Sequence, residues 1–153
     1  MVKAQAITVI ARPAEPVFDF IAADFFTNYP RWSPEVVELK PLSPGPLQVG
    51  MRARQVRVDQ GRRTDAVFQV IALERPRRVE FQGTTTPFLI SYGLGSLEGG
   101  RTRLTFVFEL RRLELYMRPF EKLIRVAVQD SAERVVRNIK GLVEKEIPTP
   151  HQS

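Results

Sequence analysis

Between Met51 and Leu110 the chain repeats one pattern: a stretch of alternating or β-branched residues, then a tight turn. Met51–Asp59, Thr64–Glu74, Arg78–Gly83, Phe88–Glu98 and Arg101–Leu110 read as strands. Gln60-Gly61-Arg62, Arg75-Pro76-Arg77 and Gly99-Gly100 punctuate them. Such turns cannot hold the dozen or so residues that a parallel crossover needs, so neighbouring strands must run antiparallel. Phe88, Ile90, Tyr92 and Leu94 fall on one face of their strand, and Leu104, Phe106, Phe108 and Leu110 on one face of the next. The result is a meander with an apolar face that other elements must cover.

Those elements lie at the two ends of the chain. Lys3–Ala11 is a further strand, stopped by Arg12-Pro13. A helix begins near Ala14, with Ala14, Val17, Phe18, Ile21, Ala22 and Phe25 on its apolar face. Pro16 is tolerated in its first turn, and Glu15 suits its positive end. Phe26–Pro34 is too broken by proline for a long helix and reads as a short one; it gathers Phe26, Tyr29 and Trp32, the sole tryptophan. Val36–Pro41 is a short strand. From about Arg118 to Ile147 a long helix is predicted, roughly 40 Å at 1.5 Å per residue. Its expected apolar face comprises Phe120, Leu123, Ile124, Ala127, Val128, Val135, Ile139, Leu142 and Val143. Glu114–Arg118, Glu121–Arg125, Asp130–Arg134 and Glu133–Arg137 are spaced to pair along the other face. Gly141 offers a place for close approach to a strand, and Pro148 ends the helix. The expected architecture is α+β. A curved antiparallel sheet of six or seven strands wraps a long C-terminal helix, with two short helices after the first strand. Residues 1–147 are expected to form one domain and 148–153 a disordered tail.

Composition removes whole classes of chemistry. The chain has no cysteine and a single histidine, His151, near its C-terminus. A disulfide scaffold, a zinc finger, an iron–sulfur centre and a cysteine nucleophile are excluded, and a Ser-His-Asp set lacks its histidine. No metal site and no cofactor is expected. No apolar run approaches the roughly 20 residues of a membrane-spanning helix, and the N-terminus lacks a secretory h-region. A cytoplasmic location is the expectation. Net charge is +6. The excess is strongest between 51 and 85, with eight basic against four acidic side chains. Without a Lys/Arg tract or a nucleic-acid-binding motif, this reads as a solvated sheet face, and no nucleic-acid partner is expected.

Several segments carry a resemblance: ITVIARPAEPVFDFIAAD (7–24), NYPRW (28–32), VG (49–50), VIALERPRRVEF (70–81) and GGRTRLTF (99–106). Together they resemble the START-like superfamily, in particular its polyketide cyclase/dehydrase and lipid-transport branch, over about residues 3–146. The resemblance implies a helix-grip fold with a hydrophobic tunnel between sheet and helix. Its members carry lipids, sterols, quinones, plant hormones or polyketides, and some cyclise or hydrate them. By position Trp32 would lie near one end of the cavity, and Phe120 and Ile124 would line it from the helix.

The expected ligand-binding set is therefore Phe26, Tyr29, Trp32, Met51, Phe68, Phe81, Phe88, Tyr92, Phe106, Phe108, Phe120 and Ile124, with Met117 beside them. They would enclose roughly 300–1,000 Å³ for an apolar guest. Periodicity alone does not separate such a pocket from an ordinary core. Tyr92 is the best polar handle, because a buried phenol seeks a partner. Gln55, Gln69, Gln82, Ser91 and Thr105 have no fixed facing, since a slip of one residue reverses every assignment. Arg57 points inward if it follows Met51 and Ala53; solvent exposure is the expectation. Asp19, Asp24 and Asp130 show no paired acid at an informative spacing, and GLGSLEGG (93–100) is strand and hairpin rather than a nucleotide loop.

The predicted function is binding or transport of a small hydrophobic or amphipathic ligand, with residues 14–34 and the loop Gly83–Pro87 as the gate. The alternative is an aromatase/cyclase-type enzyme acting on a polyketide-like chain. A third reading, a macromolecular or membrane surface contact through the Arg-rich strands, would show as salt-dependent association. A homodimer stays open as a further partnership.

Overall fold

The computed structural model describes residues 1–149; His151 and most of the expected tail lie outside the described residues. The elements are β1 (Val2–Ile10), α1 (Ala14–Phe18), a π-helical turn (Asp19–Ala23), α2 (Phe25–Trp32), β2 (Val36–Pro41), β3 (Arg52–Asp59), β4 (Arg62–Glu74), β5 (Arg78–Gly83), β6 (Phe88–Leu97) and β7 (Arg101–Leu110). A 3-10 turn (Leu115–Phe120) then leads into α3 (Glu121–Glu146). The seven strands form one antiparallel sheet in the order β1-β7-β6-β5-β4-β3-β2. This is the antiparallel sheet with a long terminal helix expected from the pattern of turns, and the helix-grip fold that the resemblance implies.

Two of the hairpins have a plain local cause. Gln60 and Gly61 both have positive φ (51° and 83°). They form the two-residue link between Asp59 and Arg62, a turn whose twist matches that of the strands. Gly99 and Gly100, at 76° and 67°, reverse the chain between β6 and β7. Alternation then sorts the side chains: Val2, Ala4 and Ala6 of β1 are buried while Lys3, Gln5 and Ile7 are exposed.

The terminal helix packs chiefly on β1, with further contacts to β7 and α2. Only its C-terminal half is a core element, through Ala132, Val135, Val136, Ile139 and Val143. The continuous apolar face expected from Phe120 to Val143 is therefore corrected: Phe120 and Leu123 are 56% and 69% exposed, and Ala127 is exposed as well. Phe88 of β6 and Phe108 of β7 stack on one another, so these strand aromatics find partners within the sheet. Of the four expected acid–arginine pairs on this helix, Glu121–Arg125 forms, at 3.6 Å. Arg134 instead reaches Glu35, at 3.0 Å, just before β2. Gly141 is exposed and approaches no strand, since a Cβ there would meet nothing within 4 Å.

Two devices fix the helix to the edge of the sheet. The Arg12 guanidinium is buried and donates to the carbonyls of Glu144 (2.6 Å), Ile147 (2.6 Å) and Ala11 (2.7 Å). It thus places a cation and two of its donors at the negative end of α3, where carbonyls lack partners. Along the outer edge of β1 the Gln129 amide exchanges hydrogen bonds with the Gln5 backbone, and Lys140 donates to the Val9 carbonyl at 2.6 Å. Glu144 accepts from the Ala11 N–H at 2.8 Å. Side chains of the helix thus occupy an edge that would otherwise template pairing with another chain.

Candidate functional site

The concave side of the sheet is filled from α2. Phe25, Tyr29 and Trp32 are spaced at i, i+4 and i+7, so they leave the helix on one face. Phe25 stacks on Phe81 (ring centroids 4.6 Å) and on Tyr29 (4.8 Å), and meets Phe68 edge-on at 6.1 Å. Trp32 lies edge-on to Tyr92 at 5.8 Å, and Tyr92 leans on Phe106 at 5.1 Å. The strands supply these partners by alternation.

The space left at the centre is small. A cavity of about 10 Å³, room for one water, is lined by Phe25, Tyr29, Gln55, Phe68, Phe81, Phe88, Ile90 and Tyr92. The predicted tunnel of several hundred cubic ångströms is thus closed by the protein's own aromatic rings in this conformation. A larger hollow, about 510 Å³, is an open groove on the outside between β1 and α3.

Of the residues expected to bind, Tyr29, Phe68, Phe81, Phe88 and Tyr92 line the cavity. Trp32, Met51 and Phe106 are buried in the surrounding core, while Phe26 and Phe108 pack half-buried against it. Phe120 and Ile124, together with Met117, do not line the cavity: Phe120 is largely exposed and the other two are half-buried. The reason is the position of α3, whose first turns stand away from the core. Phe25, Gln55 and Ile90 are lining residues absent from the expected set. Phe25 carries a signal, its i, i+4 relation to Tyr29, which is masked when one helix is taken to end at Phe25 and the next to begin at Phe26.

Polar groups converge at one side of the cavity. The Tyr29 hydroxyl donates to Gln55 Oε1 at 2.8 Å and accepts from Arg57 at 3.1 Å. Arg57 is thereby corrected from solvent-exposed to inward-facing and partly buried. The β3–β4 register runs unbroken from Arg52↔Gln69 to Asp59↔Arg62, so no bulge turns Arg57 away from the side of Met51, Ala53 and Gln55. Burial works against its charge, but the Tyr29 oxygen and Asp59 more than offset this and hold the guanidinium protonated. Glu35 stands 4.0 Å from Arg57 and also pairs with Arg134 of α3. The cluster therefore connects α2, β3 and the terminal helix.

Trp32 Nε1 donates to the Tyr92 oxygen at 3.2 Å. An indole N–H only donates, so Tyr92 is the acceptor and its own hydroxyl hydrogen has no acceptor among the described residues. Burial raises the ionisation points of both Tyr92 and Tyr29, so both are neutral phenols across the physiological range. Gln69, Gln82, Ser91 and Thr105 alternate with buried neighbours and lie outside the cavity. Asp19 is engaged by Arg75 on the surface at 2.9 Å, and Asp24 and Asp130 are exposed. The cavity is thus a neutral, aromatic site with a phenolic donor and a partly buried cation behind it. It can orient or polarise an oxygen atom, and its lining presents no carboxylate to attack or to abstract a proton.

A sequence profile described as polyketide cyclase / dehydrase and lipid transport matches residues 1–144. No curated protein matches the chain significantly. Among solved structures, the ZhuI aromatase/cyclase from Streptomyces sp. R1128 superposes with a TM-score of 0.75 at 16% identity, covering 95% of each chain. A START superfamily protein from Mycobacterium smegmatis gives 0.72 at 16% identity, over 94% of this chain and 97% of the other. TTHA0849 from Thermus thermophilus gives 0.72 at 18% identity, over 95% and 99%. At these identities the structures share the fold, and the profile, which spans nearly the whole domain, shows the family. The chain belongs to the polyketide cyclase/dehydrase and lipid transport family.

Proposed function

We propose that the protein binds a small amphipathic molecule between α2 and strands β3–β6, with an oxygen acceptor on the ligand meeting the Tyr92 hydroxyl. The observation that carries this reading is the uncommitted Tyr92 hydrogen at an aromatic cavity. A ligand carbonyl there would accept from the buried Tyr92 hydroxyl while Trp32 continues to donate to its oxygen. The aromatic walls add transfer of apolar surface from water, about 25 cal/mol per Å². Since the cavity holds only about 10 Å³, binding requires the α2 rings, Phe25 first, to move out of the cleft. The segment 14–34 and the loop Gly83–Pro87 are the gate.

The test is native mass spectrometry of protein purified from its own host, with identification of any retained small molecule. Thermal shifts with a fatty acid, a quinone and an aromatic polyketide accompany it. A carbonyl-bearing ligand that stabilises the wild type but loses affinity about tenfold in Tyr92→Phe, where its hydrocarbon analogue does not, supports the reading. No retained molecule and no shift with any class would overturn it.

An aromatase/cyclase reading is supported by the same donor: a neutral Tyr92 could polarise the ketone of a poly-β-keto chain folded in the opened cleft. Turnover of a poly-β-keto mimic that is lost in Tyr92→Phe would favour it over carriage.

A further inference from the structure

Eleven large apolar side chains are exposed among the described residues, and five of them, Leu115, Tyr116, Phe120, Leu123 and Val126, fall within one short stretch. Scattered exposure needs no explanation, but a cluster of this kind does. Leu115 and Tyr116 open the 3-10 turn, Phe120 closes it, and Leu123 and Val126 follow at three-residue intervals in the first turns of α3. The half-buried Ile124 and Val128 alternate with them, and Val128 packs against the core, so this end of the helix is apolar on its partly covered side as well as on its exposed one. Exposure runs from 56% at Phe120 to 77% at Leu115.

The charge around this surface is mostly of one sign. Arg111, Arg112, Arg118, Lys122 and Arg125 are all exposed, against only Glu114 and Glu121 between 111 and 126. A symmetric contact between two copies would bring these cations together, which opposes self-association through this face. An anionic surface that also accepts apolar groups satisfies both features. The lipid–water interface takes helices of this kind in its plane, with Leu and aromatic side chains below the headgroups and Lys/Arg among them. No helix of the described residues is long and apolar enough to cross a membrane, so the contact would be peripheral. We propose that the 3-10 turn and the first turns of α3 form a docking surface for an anionic lipid bilayer. This inference is independent of the cavity reading, because none of these residues lines the cavity.

The test is co-sedimentation of the full chain with vesicles of phosphatidylcholine alone and with about 30% phosphatidylglycerol, at low and physiological salt. The expected result is several-fold greater binding to the anionic vesicles, weakening with salt. Phe120→Ser with Leu123→Ser should lower partitioning about tenfold. Arg118→Glu with Lys122→Glu should abolish the preference for anionic lipid. These side chains are exposed, so circular dichroism and melting of both variants should match the wild type. The proposal is overturned if the wild type ignores anionic vesicles at low salt, or if the serine variant binds as well as the wild type. It is equally overturned if the wild type is a dimer at micromolar concentration that the serine variant dissociates.

Discussion

The indole of Trp32 and the phenol of Tyr92 meet across 3.2 Å, nitrogen donating to oxygen, although sixty residues separate them in sequence. The contact joins α2 to the middle of the sheet in a wholly buried setting. Because Trp32 is the only tryptophan, its fluorescence reports on this one junction.

Replacing Tyr92 with Phe leaves the Trp32 N–H buried without an acceptor. The expected loss is about 1–3 kcal/mol. It is measured by urea unfolding followed through tryptophan emission, and an unchanged midpoint would show that the indole finds another partner.

Phe25 plugs the cleft, so removing its ring should open it. Phe25→Ala is expected to cost about 3–5 kcal/mol. The cavity it leaves is apolar and should take up a small aromatic such as indole, raising the melting temperature of the variant and not of the wild type. If the variant is too unstable to purify, Phe25→Leu gives a smaller cavity at lower cost, read by the same ligand shift. An absence of any shift in a folded variant would mean that neighbouring rings collapse into the space.

Two glycines should respond oppositely to alanine. At Gly83 a Cβ would stand 2.2 Å from the Thr86 carbonyl oxygen and 2.6 Å from the Phe88 ring. Gly83→Ala must displace the loop and a cavity wall, and a loss of about 1–3 kcal/mol is expected. Gly141 is exposed within α3 with nothing near its missing Cβ, so Gly141→Ala should stabilise by up to about 1 kcal/mol. Paired chemical-denaturation curves decide both.

Glu144 links the end of β1 to α3. Burial pushes its carboxyl upward, but Lys140 and the Ala11 N–H outweigh that and hold it below its usual value of 4.5. A depressed folded-state value means that its contribution is fully present above the unfolded value and is lost as pH falls through the folded one. Acid unfolding of Glu144→Gln should therefore depend less on pH below about 4.5 than that of the wild type, and the two stability profiles should converge as the wild-type carboxyl becomes protonated. Parallel profiles down to about pH 2 would sink this expectation.

The sheet was readable because its information is local. Two-residue periodicity assigns faces, turns with glycine place the reversals, and a proline inside the first turn or just beyond the last marks a helix end. Phe88 and Tyr92 fall together on the cavity side by that alternation; that the aromatic set, Tyr29, Phe68 and Phe81 included, borders a cavity at all is implied by the family resemblance. Arg57 was expected toward solvent and faces inward, because its facing depends on whether a bulge interrupts β3, and bulges are settled by pairing across strands. Arg12 was likewise silent in sequence, since the carbonyls it caps come from the far end of the chain.

Order of elements, antiparallel pairing, the inward aromatic residues of the strands and the absence of thiol and most imidazole chemistry were all determined by the sequence itself. How much room remained inside, and which part of the terminal helix became core, were decided only in three dimensions. A hollow is the small difference between the volume a curved sheet encloses and the volume its side chains occupy. That difference depends on how every ring is oriented at once, and here the stacking of Phe25 on Phe81 reduces it to the size of a water molecule.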